Sequence, residues 1–156
     1  MKDMFRRVAF LTIALIACHV SLVTCHAQTM REAFTAMPDS LMPYLTKNNR
    51  LDMIDFMDAK MKAAVTNMLG GETVMTFLSD DSLAVRMSDA LTLEMKVQKA
   101  DTTAVVFVKH TYQTVGGEHQ ALLTRYDARS WQELSPATVL ESTLPGLFEK
   151  LKNPAK

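Results

Sequence analysis

The sequence has few cysteines and no excess of positive or negative charge. The first feature argues against thiol chemistry, and the second argues against binding to nucleic acid or an anionic membrane. Its two cysteines, Cys18 and Cys25, lie within the first 27 residues. If those residues are removed, the chain keeps no thiol for a disulfide, a cysteine nucleophile or a cysteine metal site. Lysine and arginine total 17 and acidic residues also total 17. This balance does not favour binding to nucleic acid or to an anionic membrane surface, both of which require clustered basic residues.

Sequence motifs of catalysis are also missing. The glycine pairs Gly70-Gly71 and Gly116-Gly117 lack the spacing of a phosphate-binding loop, and no Lys-Ser/Thr follows them. No Gly-x-Ser-x-Gly nucleophile elbow occurs. Glu94 and Lys96 share one face of a predicted strand, where an ion pair is a simpler interpretation than an acid–base couple. We therefore predict a protein that is not an enzyme, with no catalytic residue and no cofactor.

The first 27 residues have the pattern of a signal peptide. Basic residues precede Val8–Ala17, a run of ten residues that is apolar except for Thr12. This run is shorter than the about 20 apolar residues needed to span a membrane. Small residues favour cleavage after Ala27, whereas Leu15–Cys18 fits a bacterial lipobox. We expect an exported protein, periplasmic or associated with the outer membrane of a Gram-negative bacterium. Contact with the membrane is expected only if Cys18 is lipidated.

The segment after the leader predicts helices. Pro38 ends the first helix, because the residue before a proline is disfavoured in the α region. The apolar face of this helix has the spacing i, i+3, i+4, i+7, with Met30, Ala33, Phe34 and Met37. A second helix is predicted at Arg50–Asp58, capped by Asn48 or Asn49. Ala63–Leu69 is expected to continue helically until Gly70-Gly71.

After Gly71 the apolar period changes from 3.6 to 2, which predicts strands. Their short turns predict an antiparallel meander, with strands near Thr73–Leu78, Leu83–Met87, Leu91–Val97, Ala104–Tyr112 and His119–Tyr126. Trp131–Leu134 is a candidate sixth edge strand, and Pro136–Leu144 is a candidate short helix. The predicted fold class is α+β, in a single domain over residues 28–156. N-terminal helices pack on an antiparallel β-meander of five to six strands, and a short C-terminal helix follows.

Three carboxylates and two imidazoles are candidate metal ligands. Asp52, Asp55 and Asp58 lie at i, i+3 and i+6 on one helix face, which could bind a hard cation. This face supports an alternative function, a small metal-dependent hydrolase, although a solvated face is the simpler interpretation. If Gly116-Gly117 is a two-residue turn, His110 and His119 share a sheet face about 13 Å apart at roughly 3.3 Å per residue. That distance is too long for one zinc ion, so we predict no metal ligands.

Methionine is abundant, with 12 in the chain and ten of them beyond the leader. Flexible, polarizable methionines can form adaptable surfaces that bind peptides or acyl chains. Most of these methionines, however, occupy positions expected for a core. Core filling is therefore favoured, an adaptable apolar groove between helices and sheet is the alternative, and a thioether copper site is a third possibility.

More polar residues cluster around the start of the second helix than two helix caps require. This cluster is the predicted interaction surface and consists of Asp39, Asn48, Asn49, Arg50 and Asp52. The structural alternative is that Arg50 and the asparagines only satisfy loop carbonyls and fix the angle between the helices.

Several of these segments also carry a family resemblance. The start of the mature chain resembles the opening of a family of small secreted Bacteroidales proteins of unknown function. The resemblance lies in the pattern TAMPDSLxPYLTKNNRLD, at Thr35–Leu41 and Pro43–Asp52. The resemblance extends through Asn67–Gly71, Leu91–Met95 and Tyr126–Trp131. It implies export and no recognised active site, and it brings no activity with it. We therefore expect a non-catalytic cell-envelope module that binds a protein partner or an apolar ligand.

Overall fold

The computed structural model describes residues 28–99, 104–134 and 148, and these contain one antiparallel sheet with helices on one face. The strands follow one another in the sheet in chain order. The helices are α1 (Met30–Ala36) and α2 (Lys47–Asp58), with a 3-10 turn at Asp39–Leu41 between them. The strands are β1 (Ala63–Thr66), β2 (Glu72–Leu78), β3 (Ser82–Arg86), β4 (Leu91–Lys99), β5 (Ala104–Gln113) and β6 (His119–Asp127). The predicted α+β meander with N-terminal helices is confirmed at this level.

The two helices begin at threonine caps. The backbone N–H of Glu32 donates to Thr29 Oγ1 (3.3 Å), and the N–H of Thr29 donates to Glu32 Oε2 (2.8 Å). This reciprocal pair is a capping box. At α2 the cap is Thr46, whose Oγ1 accepts from the Asn49 N–H at 3.2 Å. The prediction that Asn48 or Asn49 caps this helix is wrong, because Thr46 provides the cap and α2 starts at Lys47.

The prediction of helix over Ala63–Leu69 is also wrong. Ala63–Thr66 forms the edge strand β1, which pairs with β2 from Ala63↔Met75 to Thr66↔Glu72. Four residues are too few for an apolar period to separate strand from helix, and pairing with β2 decides the structure. A turn follows in which Gly70 has φ 81°, a left-handed conformation that glycine adopts without steric cost.

The end of the chain differs from the prediction in one further respect. The sixth strand of the sheet is β1, whereas Trp131–Leu134 contributes an isolated bridge, Tyr126↔Glu133. Trp131 has φ 56° and the chain then returns along β6, where Leu134 N–H donates to the Arg125 carbonyl at 2.9 Å. The predicted helix at Pro136–Leu144 lies outside the described residues.

The register of the last hairpin differs from the expected one by one residue. The Thr114 N–H donates to the Glu118 carbonyl (2.7 Å), so the loop contains three residues, 115–117, rather than two. Gly117 has φ 83°, as three-residue hairpin loops require. His110 therefore pairs with Leu122, and not with Leu123. A shift of one residue moves every side chain of a strand to the other face.

The main core lies between the helices and one face of the sheet. The helices contact β1, β2 and β4. Seven methionines are buried here, which confirms core filling among the described residues: Met30, Met37, Met42, Met53, Met75, Met87 and Met95. None of the helices in the described ranges is long and apolar enough to cross a membrane.

A smaller cluster lies on the opposite face of the sheet. Phe148 packs there against Phe107 and Leu123. Glu94 forms an ion pair with Lys109, its direct cross-strand neighbour, so the expected pair with Lys96 is replaced. The Lys109 ammonium also lies 5.0 Å from the centre of the Phe148 ring, within cation–π range.

Candidate functional site

Arg50 belongs to the predicted interaction surface, but its side chain lies inside the protein and is only 1 % exposed. Nη1 donates to the Leu45 carbonyl and to Asp39 Oδ1, each at 2.8 Å, and Nη2 donates to the Met37 carbonyl at 2.5 Å. A planar guanidinium can serve three acceptors at fixed angles, which an ammonium cannot. Arg50 therefore fixes the end of α1, the 3-10 turn and the loop before α2 relative to one another.

Asn49 connects α2 to the edge of the sheet. Its amide oxygen accepts from the Thr46 hydroxyl, and its Nδ2 donates to the Thr66 carbonyl at 3.2 Å. Asn49 therefore connects the start of α2 to the end of β1.

Asn67 holds the turn between β1 and β2 from inside. This buried side chain donates to Thr73 Oγ1 (3.1 Å), and its Oδ1 accepts from the N–H groups of Leu69 (2.9 Å) and Gly71 (3.1 Å). The Met68 N–H donates outward to the Tyr44 carbonyl at 2.9 Å. Residues 43–49 and 66–71 are therefore held together at two points, and we call these two segments the joined loops.

The joined loops present two apolar side chains to solvent. Met68 is 65 % exposed and Leu69 is 76 % exposed, although the backbone N–H groups of both residues are hydrogen-bonded. Sequence reasoning missed this pair because it assigned Leu69 to a helix. The available signal was an apolar pair between Asn67 and Gly70, where polar turn residues are the norm.

The other predicted surface residues divide into two groups. The Asp39 carboxylate bonds to Arg50 and is 62 % exposed. Asn48 and Asp52 lie exposed on α2. The structure thus uses Asp39, Asn49 and Arg50 for internal bonds, whereas Asn48 and Asp52 are exposed to solvent.

The three aspartates of α2 point into solvent. Asp52, Asp55 and Asp58 are all exposed, and Asp58 makes a two-bond ion pair with Arg31 at 2.8 Å. Across residues 28–99, 104–134 and 148, no group of three or more metal-ligating side chains is found. The three carboxylates do not converge on a common point with other ligands, so this face does not support the metal-dependent hydrolase alternative.

The two histidines lie on opposite faces of the sheet. His110 pairs with Leu122, which lies three positions from His119 on β6. Side chains alternate between the two faces along a strand, so residues three positions apart lie on opposite faces. The expectation that they share a face is wrong, because the loop is longer than the two residues assumed. Burial lowers the pKa of His110 below its usual value of 6.5.

An open groove of about 380 Å³ lies between α1 and α2. Its floor is mainly apolar and its rim carries charged groups, and it is lined by Arg31, Glu32, Thr35, Ala36, Lys47, Leu51 and Ile54. Asn48 and Asp52 follow Lys47 and Leu51 along the same helix.

Residues 22–148 match a family described as protein of unknown function (DUF3256). The chain belongs to DUF3256. Its fold is similar to a domain of an uncharacterized protein from Porphyromonas gingivalis W83, at 19 % identity and a TM-score of 0.57. That match covers 69 % of this chain and 54 % of the other, so this chain spans about half the length of its structural neighbour. No curated protein matches the sequence.

Replacement of Arg50 tests its structural role in the DUF3256 fold. Arg50→Ala leaves the carbonyls of Met37 and Leu45 buried without a donor, and each such group costs about 1–3 kcal/mol. We expect the free energy of unfolding in urea to fall by about 3 kcal/mol. Arg31→Ala is the matched control and should cost at most about 1 kcal/mol, because the ion pair of Arg31 with Asp58 is exposed to solvent. Equal losses in the two variants would contradict this role.

The half-buried imidazole of His110 predicts a pH dependence of stability. The folded state has the lower pKa, so the unfolded chain binds more protons between the two pKa values. The contribution of His110 is complete above pH 6.5 and is lost as the pH falls toward its lowered pKa. Urea unfolding over this range should show a weaker pH dependence for His110→Gln. His119→Gln, at an exposed position, should behave like the unmodified chain, and the reverse result would refute the assignment.

Proposed function

We propose that this DUF3256 protein is a non-catalytic interaction module of the cell envelope that binds a protein partner through the joined loops. The observation that carries the proposal is the exposure of Met68 and Leu69 on a turn fixed by Asn67 and Tyr44. Apolar side chains on a fixed turn cannot fold back onto their own core, so burying them requires another molecule.

The energies involved are appropriate for a protein interface. Burying one large apolar side chain contributes about 1.5–3 kcal/mol, so Met68 and Leu69 together can supply about 3 kcal/mol from their exposed parts. A contribution of this size is typical of an interface hot spot. Because the turn is already ordered, little conformational entropy is lost on binding.

The surroundings favour a protein partner over a small apolar ligand. The buried methionines fill the core among the described residues, so they do not line a groove. The groove between α1 and α2 is open to solvent, whereas small-molecule pockets enclose about 70–90 % of their ligand. An open groove with Leu51 on its floor suits a side chain of a partner, with Asn48 and Asp52 as polar contacts.

Export supports the same proposal. A leader cleaved after Ala27 would release the chain outside the cytoplasm, whereas processing at Cys18 would leave a lipidated cysteine that tethers the chain to the membrane. In the cell envelope, a disulfide-free α+β domain would act as a binding module that is either soluble or tethered to the membrane.

A photo-cross-linking amino acid at position 69, in the native host, tests the proposal. We expect one discrete adduct with an envelope protein. Position 115 is the control, since Val115 is another exposed apolar residue in a loop between two strands. After the partner is identified, Met68→Ser with Leu69→Ser should weaken binding about 100-fold, and Val115→Ser should leave it unchanged. Equal adducts from both positions, or unchanged affinity in the double variant, would refute the proposal.

A further inference from the structure

The thioether of Met68 differs chemically from the Leu69 side chain beside it. Both side chains are apolar, and they are 65 % and 76 % exposed. Only the sulfur of Met68 takes up an oxygen atom under mild conditions, and this converts a flexible apolar side chain into a polar, chiral one. Met68 is therefore the member of the exposed pair whose polarity can change after the protein has folded.

Most other methionines of the described residues are protected by burial. Seven of them are at most 3 % exposed: Met30, Met37, Met42, Met53, Met75, Met87 and Met95. Met57 is half-buried, and Met61 is 59 % exposed. Because a peroxide must reach the sulfur to react with it, oxidation should begin at Met61 and Met68 and leave the core methionines intact.

No cysteine competes for the oxidant once the leader is removed. The two cysteines lie at positions 18 and 25, and residues 28–156 contain none. The thioethers are then the sulfur atoms on which an oxidant acts. Export would also place them outside the cytoplasm, where reducing systems keep sulfur reduced.

The backbone that carries Met68 is fixed independently of its side chain. The Met68 N–H donates to the Tyr44 carbonyl at 2.9 Å, and the buried Asn67 accepts from the N–H groups of Leu69 and Gly71. None of these bonds involves the thioether. An oxygen added to this exposed sulfur therefore changes the polarity of the joined loops without breaking the bonds that hold them.

We propose that Met68 is a reversible oxidation site, and that its conversion to the sulfoxide by a peroxide turns off binding at the joined loops. The inference rests on the proposed function, because it concerns the same surface. In the reduced form, Met68 and Leu69 present apolar surface to the partner. In the oxidised form, the surface carries an S=O group that loses its water on binding, which is unfavourable unless the partner supplies a hydrogen bond.

The reaction is balanced with hydrogen peroxide as the oxidant. The Met68 sulfur gives an electron pair to one peroxide oxygen, an S–O bond forms and the O–O bond breaks. The proton of the transferred oxygen passes to the departing oxygen, which leaves as water. Sulfur is oxidised by two electrons and the peroxide is reduced by two. A methionine sulfoxide reductase reverses the change with a dithiol, which becomes a disulfide while the oxygen leaves as water.

Met61 is a matched control within the same chain. It lies two residues before β1, whereas Met68 lies two residues after it. The Met61 N–H donates to the Phe56 carbonyl of α2 at 2.9 Å, so Met61 is outside the joined loops. We expect both thioethers to be oxidised and only the oxidation of Met68 to affect binding.

Peroxide treatment of the intact protein, followed by mass spectrometry of its peptides, tests the selectivity. Met61 and Met68 should each gain one oxygen about tenfold faster, or more, than the core residues Met53 and Met95. The circular dichroism spectrum should stay unchanged, because the core methionines remain reduced. Oxidation of Met68 at the rate of the core methionines would overturn the proposal.

Photo-cross-linking from position 69 tests the effect on binding. The purified chain is treated with peroxide, the peroxide is removed, and the chain is then irradiated in an envelope extract of the native host. The yield of the adduct should fall about tenfold, and treatment with a sulfoxide reductase should restore it. Met61→Leu should show the same fall. In Met68→Leu, which keeps a similar volume without sulfur, peroxide should not change the yield found before treatment.

The outcomes separate this inference from the proposed function. If the untreated chain forms no adduct at position 69, the proposed function is refuted and the oxidation site loses its role with it. If the adduct forms but its yield survives complete oxidation of Met68, only the inference about oxidation is overturned. The same holds if peroxide lowers the yield of Met68→Leu as much as that of the unmodified chain.

Discussion

The guanidinium of Arg50 connects the two helices and the segment between them, which lie outside the sheet. Its three acceptors come from the end of α1, from the 3-10 turn and from the loop before α2. Buried carbonyls need donors, and burying a charge requires partners. Arg50 satisfies both needs at once. The path of the chain between the helices, including the position of Tyr44, follows from these bonds.

Two hydrogen bonds connect this region to the edge of the sheet. The Tyr44 carbonyl binds the Met68 N–H, while Asn49 binds the Thr66 carbonyl. Asn67 then fixes the turn from within. Polar side chains thus hold the turn from the inside, and apolar Met68 and Leu69 lie on its outside, exposed to solvent.

The sequence predicted the features that depend on strong periodic patterns. The change of period after Gly71, the meander and the methionine core were all predictable, because burial of one strand face repeats every second residue. It did not predict β1, since four residues do not reveal a period, nor the register of the last hairpin, since Val115, Gly116 and Gly117 allow more than one loop length. The sequence shows which polar residues surround the start of α2, but whether Arg50 points inward depends on tertiary contacts. The exposure of Met68 and Leu69 has the same origin.

Amide hydrogen exchange of Met68, followed by NMR in the unmodified chain and in Arg50→Lys, tests the central claim most directly. The claim is that Arg50, through Tyr44, holds the turn that carries the exposed pair. We expect the Met68 amide to be protected in the unmodified chain. It should lose most of that protection in Arg50→Lys, which cannot reach all three acceptors, while amides of β4 and β5 keep theirs. A Met68 amide that exchanges as fast as an open loop, or that is equally protected in both proteins, would contradict this account.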